Sequence, residues 1–234
     1  MGKNLIQQAR GKGSPRYRAP SFRYLAKVSY PKTATQGTIT DIVKSRGHSG
    51  PLVQMKYENG EETYLVAAAG LKVGDNLSYG PNAPAEKGNT LCLKDIPVGA
   101  DIFNIEIQPG DGGKIARSGG CSAKLLSKKE NEVVVMLPSK KEKIFNENCR
   151  ATIGTIANSG RKEKPFLKAG RRHFYMKARN KLYPRVKGQS MNAVDHPHGT
   201  SRSSKKGQPT IADRNAPPGA KVGKIRPRRT GMQR

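Results

Sequence analysis

Acidic side chains are missing from residues 1–30 and nearly so from residues 165–234, where Asp195 and Asp213 are the only two. Basic residues number 7 and 18 in those stretches, so the ends carry +7 and +16, whereas residues 31–164, with 19 basic and 15 acidic side chains, carry +4. The whole chain, 234 residues long, reaches +27, and so much self-repulsion is hard to keep compact without a polyanion. Long apolar runs are lacking too. None approaches the length of a spanning helix and no basic amphipathic helix stands out, so nucleic acid is preferred over a membrane surface as the polyanion. The first residues, Met1–Gln8, hold no apolar core of signal-peptide length. Cysteine is scarce: Cys92, Cys121 and Cys149 are odd in number, scattered and without a Cys-x-x-Cys pair. A zinc knuckle or ribbon is thereby disfavoured, and the cysteines read as buried or idle thiols in a reducing compartment.

What the cationic ends do contain is Gly, Pro, Ser and interleaved aromatic rings. Few apolar residues are there to offset the entropy of ordering, which is the ordinary condition of solvated basic tails. Against that bland outcome stand Arg16-Tyr17-Arg18 and Phe22-Arg23-Tyr24 near one end and Arg171-Arg172-His173-Phe174-Tyr175 near the other. Rings and guanidinium planes stack on unpaired bases while the cations neutralise phosphates. With no groove-sized recognition helix in view, RNA is favoured over duplex DNA, and both arms are expected to order by threading into it.

The body between them has β texture. Thr38–Val43, Leu52–Tyr57, Thr63–Val66 and Leu77–Tyr79 read as short strands, with Asn59-Gly60 marking a tight hairpin between the second and third. Four or five such strands in about fifty residues predict a small closed barrel of the OB type. Residues 80–89 read as a linker. A second β set follows, in which Asp101–Ile107 alternates with Phe103, Ile105 and Ile107 on one face. Lys124–Leu126 and Val133–Leu137 flank a turn at Lys128–Asn131, and Lys143–Phe145 and Thr152–Ile156 complete the set. Helix is expected only in short pieces near Asn148 and around Lys177–Lys181.

Between Ile107 and Ala123 the chain is rich in glycine and carries Lys114, Arg117 and Ser118. Lys114 is followed by Ile115, not Ser or Thr, so this is not a nucleotide-binding P-loop. A long hairpin connection needing positive φ accounts for the glycines. The cations are better explained if the loop faces RNA phosphates.

The other unusual stretch is Arg185–Thr200, which holds His196 and His198, half of the four histidines, with Asp195 before them and Pro197 between. Pro197 disfavours helix at His196, so both imidazoles sit on a loop. Three roles compete: an ordinary surface loop, a loop entering folded RNA through imidazoles and Asn192, and a metal or catalytic site. Residue types alone favour them in that order, because no third ligand is in view.

The run Met191–Gly199 resembles the signature of the universal large-subunit ribosomal protein L-two family, in its archaeal or eukaryotic form. The likeness extends through Arg10–Pro15, Tyr17–Pro20, Gly70–Asp75, Ile96–Gly99, Lys114–Gly119, Cys149–Gly154, Lys168–Arg171 and Asn215–Gly219. Two positions depart from it: Ala193 stands where a proline is frequent, and Thr200 where further glycines often follow.

The resemblance implies a mainly β fold, with a basic extension over 1–32, an OB-like barrel over 33–88, an SH3-like barrel over 89–163 and a basic extension over 164–234. It implies a structural constituent of the large ribosomal subunit in the cytoplasm, binding large-subunit ribosomal RNA and supporting subunit association and the architecture around the peptidyl-transferase centre. Neighbouring ribosomal proteins and a small-subunit contact are the further partners, with no membrane and no small-molecule substrate.

The catalyst in that setting is RNA, so no catalytic residue, cofactor or metal is assigned. The expected RNA contacts are Arg10, Arg16, Tyr17, Arg18, Arg23, Lys114, Arg117, Arg150, Arg171, Arg172, His173, Asn192, Asp195, His196, His198, Arg214, Lys221, Arg226, Arg228 and Arg229. The competing assignment is a non-ribosomal OB-type RNA chaperone or translation factor.

Overall fold

A computed structural model describes residues 2–31, 35–81, 83–200 and 211–223. They form two compact units, one spanning Ser21–Phe166 and the other combining Met1–Pro20 with Leu167–Arg234.

The first unit is built on two antiparallel sheets. Strand β1 (Gln36–Val43) pairs on one side with β2 (Leu52–Tyr57) and on the other with β4 (Asn76–Ser78), and β3 (Glu62–Val66) adds to β2. The hairpin forms where turn chemistry places it. Gly60, at φ 78°, donates its N–H to the Tyr57 carbonyl at 2.9 Å, and Tyr57 N–H donates to the Glu61 carbonyl at 3.0 Å. The register that follows sets Val53 opposite Leu65 and Leu52 opposite Val66. Alternation then sends Val53, Met55 and Tyr57 into a core with Ile39, Leu65, Leu77 and Tyr79.

The second sheet runs in the order β5-β10-β6-β7-β8-β9, with β5 Thr90–Cys92, β6 Asp101–Phe103, β7 Ala123–Lys129, β8 Glu132–Met136, β9 Glu142–Asn146 and β10 Arg150–Ile153. Leu91, Leu93, Ile96, Ile102, Leu125, Val133, Val135 and Phe145 fill its interior. The two sheets are joined within this unit. Ala68 bridges Ile156, Tyr79 bridges Thr90, and a third apolar cluster takes Leu52 and Val66 from one sheet and Phe103 from the other. The expected mainly β, barrel-like architecture is present.

Three local expectations change. The alternating strand stops at Phe103, because Asn104 turns left-handed at φ 51° and redirects the chain. Residues 102 to 106 are consequently all buried, while Ile107 is exposed. Lys128 and Lys129 lie inside β7, and the turn is tightened to Glu130-Asn131, with Asn131 at φ 61°. Asn148 lies in a turn that aims Cys149 N–H at the Asn146 carbonyl, not in a helix.

The second unit contains helices α1 (Ile6–Gly11) and α2 (Ala169–Ala178). The arms meet here. Asn180, at φ 51°, donates its side-chain amide to the Arg16 carbonyl at 2.6 Å and also reaches the Arg18 carbonyl. Lys3 N–H donates to the Val194 carbonyl at 2.9 Å, and Lys3 Nζ lies 3.6 Å from the Asp195 carboxylate. The two arms therefore order partly against one another, a pairing that their compositions do not reveal.

Candidate nucleic-acid interface

In the first unit the glycine-rich loop is organised by two carboxylates of its own. Glu106 is fully buried, and its oxygens accept from Gly110 N–H at 3.2 Å, Gly112 N–H at 3.0 Å and Arg150 N–H at 2.9 Å. Arg150 adds two side-chain bonds, Nε at 3.2 Å and Nη2 at 2.9 Å, both to Oε1. Asp111 accepts from the N–H groups of Ile107, Gln108 and Gly113 at 3.1, 3.3 and 3.2 Å and pairs with Lys114 at 3.3 Å. Burial pushes the Asp111 carboxyl up, but the three N–H donors and Lys114 outweigh it and hold the group below its ordinary value. Loop donors of the kind that cradle phosphate are thus directed inward, onto the protein's own anions. Only the cation at Lys114 is left exposed on this loop.

Arg150 and Arg117 are internal ties as much as surface charges. Arg150 also donates Nη1 to the Pro31 carbonyl at 2.9 Å and lies 5.2 Å from the centre of the Tyr30 ring. Tyr30 in turn donates to the Asn104 carbonyl at 2.7 Å and bonds the Thr152 hydroxyl at 2.8 Å, and burial drives its phenol well above the usual range. Arg117 donates Nη1 to the Gly113 carbonyl at 3.0 Å and Nη2 to the Val28 carbonyl at 3.4 Å, with burial lowering its pKa. Tyr30, Arg117 and Arg150, with Lys27 and His48, border a cleft of about 660 Å³ in the first unit. Arg23 lies at the start of the same unit, half-buried, with its guanidinium carbon 5.6 Å from the Phe22 ring centre.

In the second unit Arg171, Arg172 and His173 are exposed on α2, which has no buried residue, no side-chain cap and no acidic residue in its first turn. The short helix expected around Lys177–Lys181 lies instead over Ala169–Ala178, earlier in the arm. Ten residues are too few for a stable isolated helix, and two arginines at the positive end oppose the helix dipole. An anion at that end would relieve both. Cations also sit against rings, with the Arg179 guanidinium 3.7 Å from the Tyr175 centre, Arg172 5.2 Å from Tyr183, and Arg10 and Arg16 5.8 and 6.0 Å from Tyr17. Arg16 and Arg18 are exposed, as are Arg214 and Lys221, whose Nζ donates to the Arg214 carbonyl at 2.9 Å.

The histidine loop is compact. His198 N–H donates to His196 Nδ1 at 3.0 Å, so that nitrogen is the acceptor and the ring proton sits on Nε2. The two ring centres are 5.0 Å apart. Gly188 and Gly199 pack where no side chain fits, since a Cβ on Gly188 would fall 2.3 Å from the His196 ring and one on Gly199 2.3 Å from the Asn192 carbonyl. Burial, then His198, lowers the His196 pKa. His198 is buried, while Asn192 is exposed at the rim. Among the described residues no group of three or more His, Cys, Asp or Glu is placed to hold a metal ion, and no helix is long and apolar enough to cross a membrane. Arg226, Arg228 and Arg229 lie outside the described residues.

Fold and surface together define a mainly β protein whose uncompensated positive charge lies largely on a second, sparsely buried unit. The family model for "Ribosomal Proteins L2, C-terminal domain" matches residues 86–219. Relatives called "Large ribosomal subunit protein uL2" are 47% identical over 237 residues in Methanococcoides burtonii, 45% over 241 in Methanobrevibacter smithii and 45% over 237 in Archaeoglobus fulgidus. Each match covers 100% of both chains. The chain belongs to the ribosomal protein L2 family, in its archaeal form.

Proposed function

We propose that this protein is a structural component of the large ribosomal subunit, working in the cytoplasm by binding large-subunit ribosomal RNA. The observation that carries this is the partition of charge between the two units. Residues 1–20 and 167–234 together hold 23 basic and 2 acidic side chains, a net +21, against 21 basic and 15 acidic in residues 21–166, a net +6. Such a unit is stable when phosphates neutralise it.

The exposed cations Arg16, Arg18, Lys114, Arg171, Arg172, Arg214 and Lys221 contact phosphate in this assignment, with Arg10, Tyr17 and Arg23 beside them. Arg117 and Arg150 reach RNA only at the mouth of the cleft they help to build. Asn192 and the Asp195–His198 turn shape RNA through a fixed loop. His196 and His198 are assigned to shaping RNA, and proton transfer during peptide-bond formation is left to RNA, because no further residues around this loop complete a protein active site in this reading. The same reading includes support for subunit association and for the surroundings of the peptidyl-transferase centre, with ribosomal proteins as neighbours, and the family relationship supports it.

The test is the salt dependence of binding to large-subunit ribosomal RNA. Log affinity falls with log salt by roughly 0.7 to 0.9 per phosphate contact. Replacing Arg171→Gln and Arg172→Gln together is expected to flatten that slope by about 1.4 to 1.8. An unchanged slope removes α2 from the interface, and a wild-type affinity insensitive to salt refutes RNA binding through these cations.

A further inference from the structure

We propose that Phe22 is a stacking site for one unpaired nucleobase, an inference that rests on the RNA-binding reading above. Phe22 is 82% exposed, the most exposed of the large hydrophobic side chains among the described residues. Its neighbour Tyr24 is half as exposed, at 41%, because one side of its ring is seated on the first unit. Tyr24 lies on Gly47, where a Cβ would come within 2.4 Å of the ring, and meets His48 edge-on at 5.1 Å.

The backbone between them is held at several points. Tyr24 N–H donates to the Ser21 carbonyl at 3.0 Å, Gly47 N–H to the Arg23 carbonyl at 2.8 Å and Leu25 N–H to Ser45 Oγ at 3.3 Å. His48 Nδ1 lies 2.8 Å from the same Ser45 hydroxyl. One ring of the pair thus anchors the turn to the first unit, and the other is carried out into water on a fixed base.

Charge identifies the occupant. No carboxylate occurs in residues 1–30, the Arg23 guanidinium lies over the Phe22 ring at 5.6 Å from its centre, and Lys27 follows in the sequence. An apolar ring with a guanidinium against it, in a segment free of carboxylates, suits a partner that offers a π face and a phosphate together, which is single-stranded nucleic acid. Bases stacked inside a duplex have no face to give. An apolar protein surface would not make use of the cations.

The chain contains no tryptophan, so Phe22→Trp introduces a single indole at this position, which can be excited selectively beyond the tyrosine absorption band. The full chain, its Phe22→Ala variant and its Phe22→Trp variant are titrated with a single-stranded RNA oligonucleotide and with the same strand annealed to its complement. Phe22 is exposed, so both variants are expected to melt with the wild-type midpoint.

Losing one stacked base weakens Phe22→Ala for the single strand by roughly 5- to 150-fold. The slope against salt stays unchanged because no phosphate contact is removed. Duplex affinity is unaffected. Phe22→Trp keeps the affinity, and its emission is quenched by the single strand alone.

Wild-type affinity in Phe22→Ala, or tryptophan emission indifferent to the single strand, overturns the inference. Emission that responds only to other ribosomal proteins overturns it as well, by assigning the ring to a protein neighbour. If the wild type itself ignores RNA, the general reading fails first. If it binds with a steep salt slope while Phe22→Ala matches it, only the Phe22 site fails.

Discussion

Glu106→Gln is the most informative single change. The carboxylate is fully buried and receives five hydrogen bonds, three from Arg150 and two from loop glycines. Glutamine keeps the shape but turns one acceptor oxygen into an NH₂ donor, which must face at least one group that can only donate. It also leaves the Arg150 guanidinium without its counter-charge. Removing one partner of a buried pair costs about 3–5 kcal/mol. The Arg150 side chain is 22% exposed, so water recovers part of its solvation and the lower end, about 3 kcal/mol, applies. For a chain of this size about 2–4 °C is lost per kcal/mol, giving a drop in Tm of roughly 6–12 °C. Urea unfolding of the full chain should show the midpoint falling at an unchanged m-value, and amide exchange at Gly110 and Gly112 should quicken. Adding Arg150→Met removes the orphaned cation and should recover part of the loss. A loss below about 1 kcal/mol in Glu106→Gln would refute the assignment of this carboxylate as the organiser of the loop.

Gly47→Ala drives a methyl group into the Tyr24 ring and should cost about 1–3 kcal/mol in thermal unfolding, with the Tyr24 ring displaced from His48 in NMR contacts. His196 is neutral in the folded loop, with its pKa lowered by burial and by His198, whereas the unfolded chain takes up a proton near pH 6.5. The unfolded state then binds more protons, so the loop's stability holds above about pH 6.5 and declines as pH falls below it. Exchange of the His198 amide should accelerate from pH 7.5 to 5.5 after correction for intrinsic rates, and a flat profile would count against Nδ1 as its acceptor. Cys149 is buried, and burial together with Glu106 and Asp111 raises its thiol to about 11. Native protein at neutral pH should leave it unmodified by a thiol reagent, with reaction appearing in urea.

What could be read from the chain alone divides by the range of the forces involved. The Asn59-Gly60 hairpin was legible because two residues and their flanking alternation determine it locally. The site at Glu106 was not. Alternation through Phe103, Ile105 and Ile107 sets Glu106 on the face opposite those apolar residues, and nothing nearby announces the left-handed Asn104 or a partner at Arg150, 44 residues away. Basic texture likewise hid Val28 and Tyr30, both 4% exposed and packed in the cores of the first unit. The interleaving of rings and cations picks out Phe22, Arg23 and Tyr24 together, and only the seat of Tyr24 on Gly47 separates the anchor from the more exposed ring. The start of helix α2 escaped because Arg171–Tyr175 carries no apolar stripe to give a period.

The amide of Asn180 reaching the Arg16 carbonyl links positions 164 apart in sequence. At roughly 5–20 residues per second, synthesis delivers the earlier partner about 8–33 seconds before the later one. Throughout that interval the leading cationic segment leaves the ribosome making the chain without its eventual protein mate. Whatever shields it from stray polyanions then must come from outside the polypeptide.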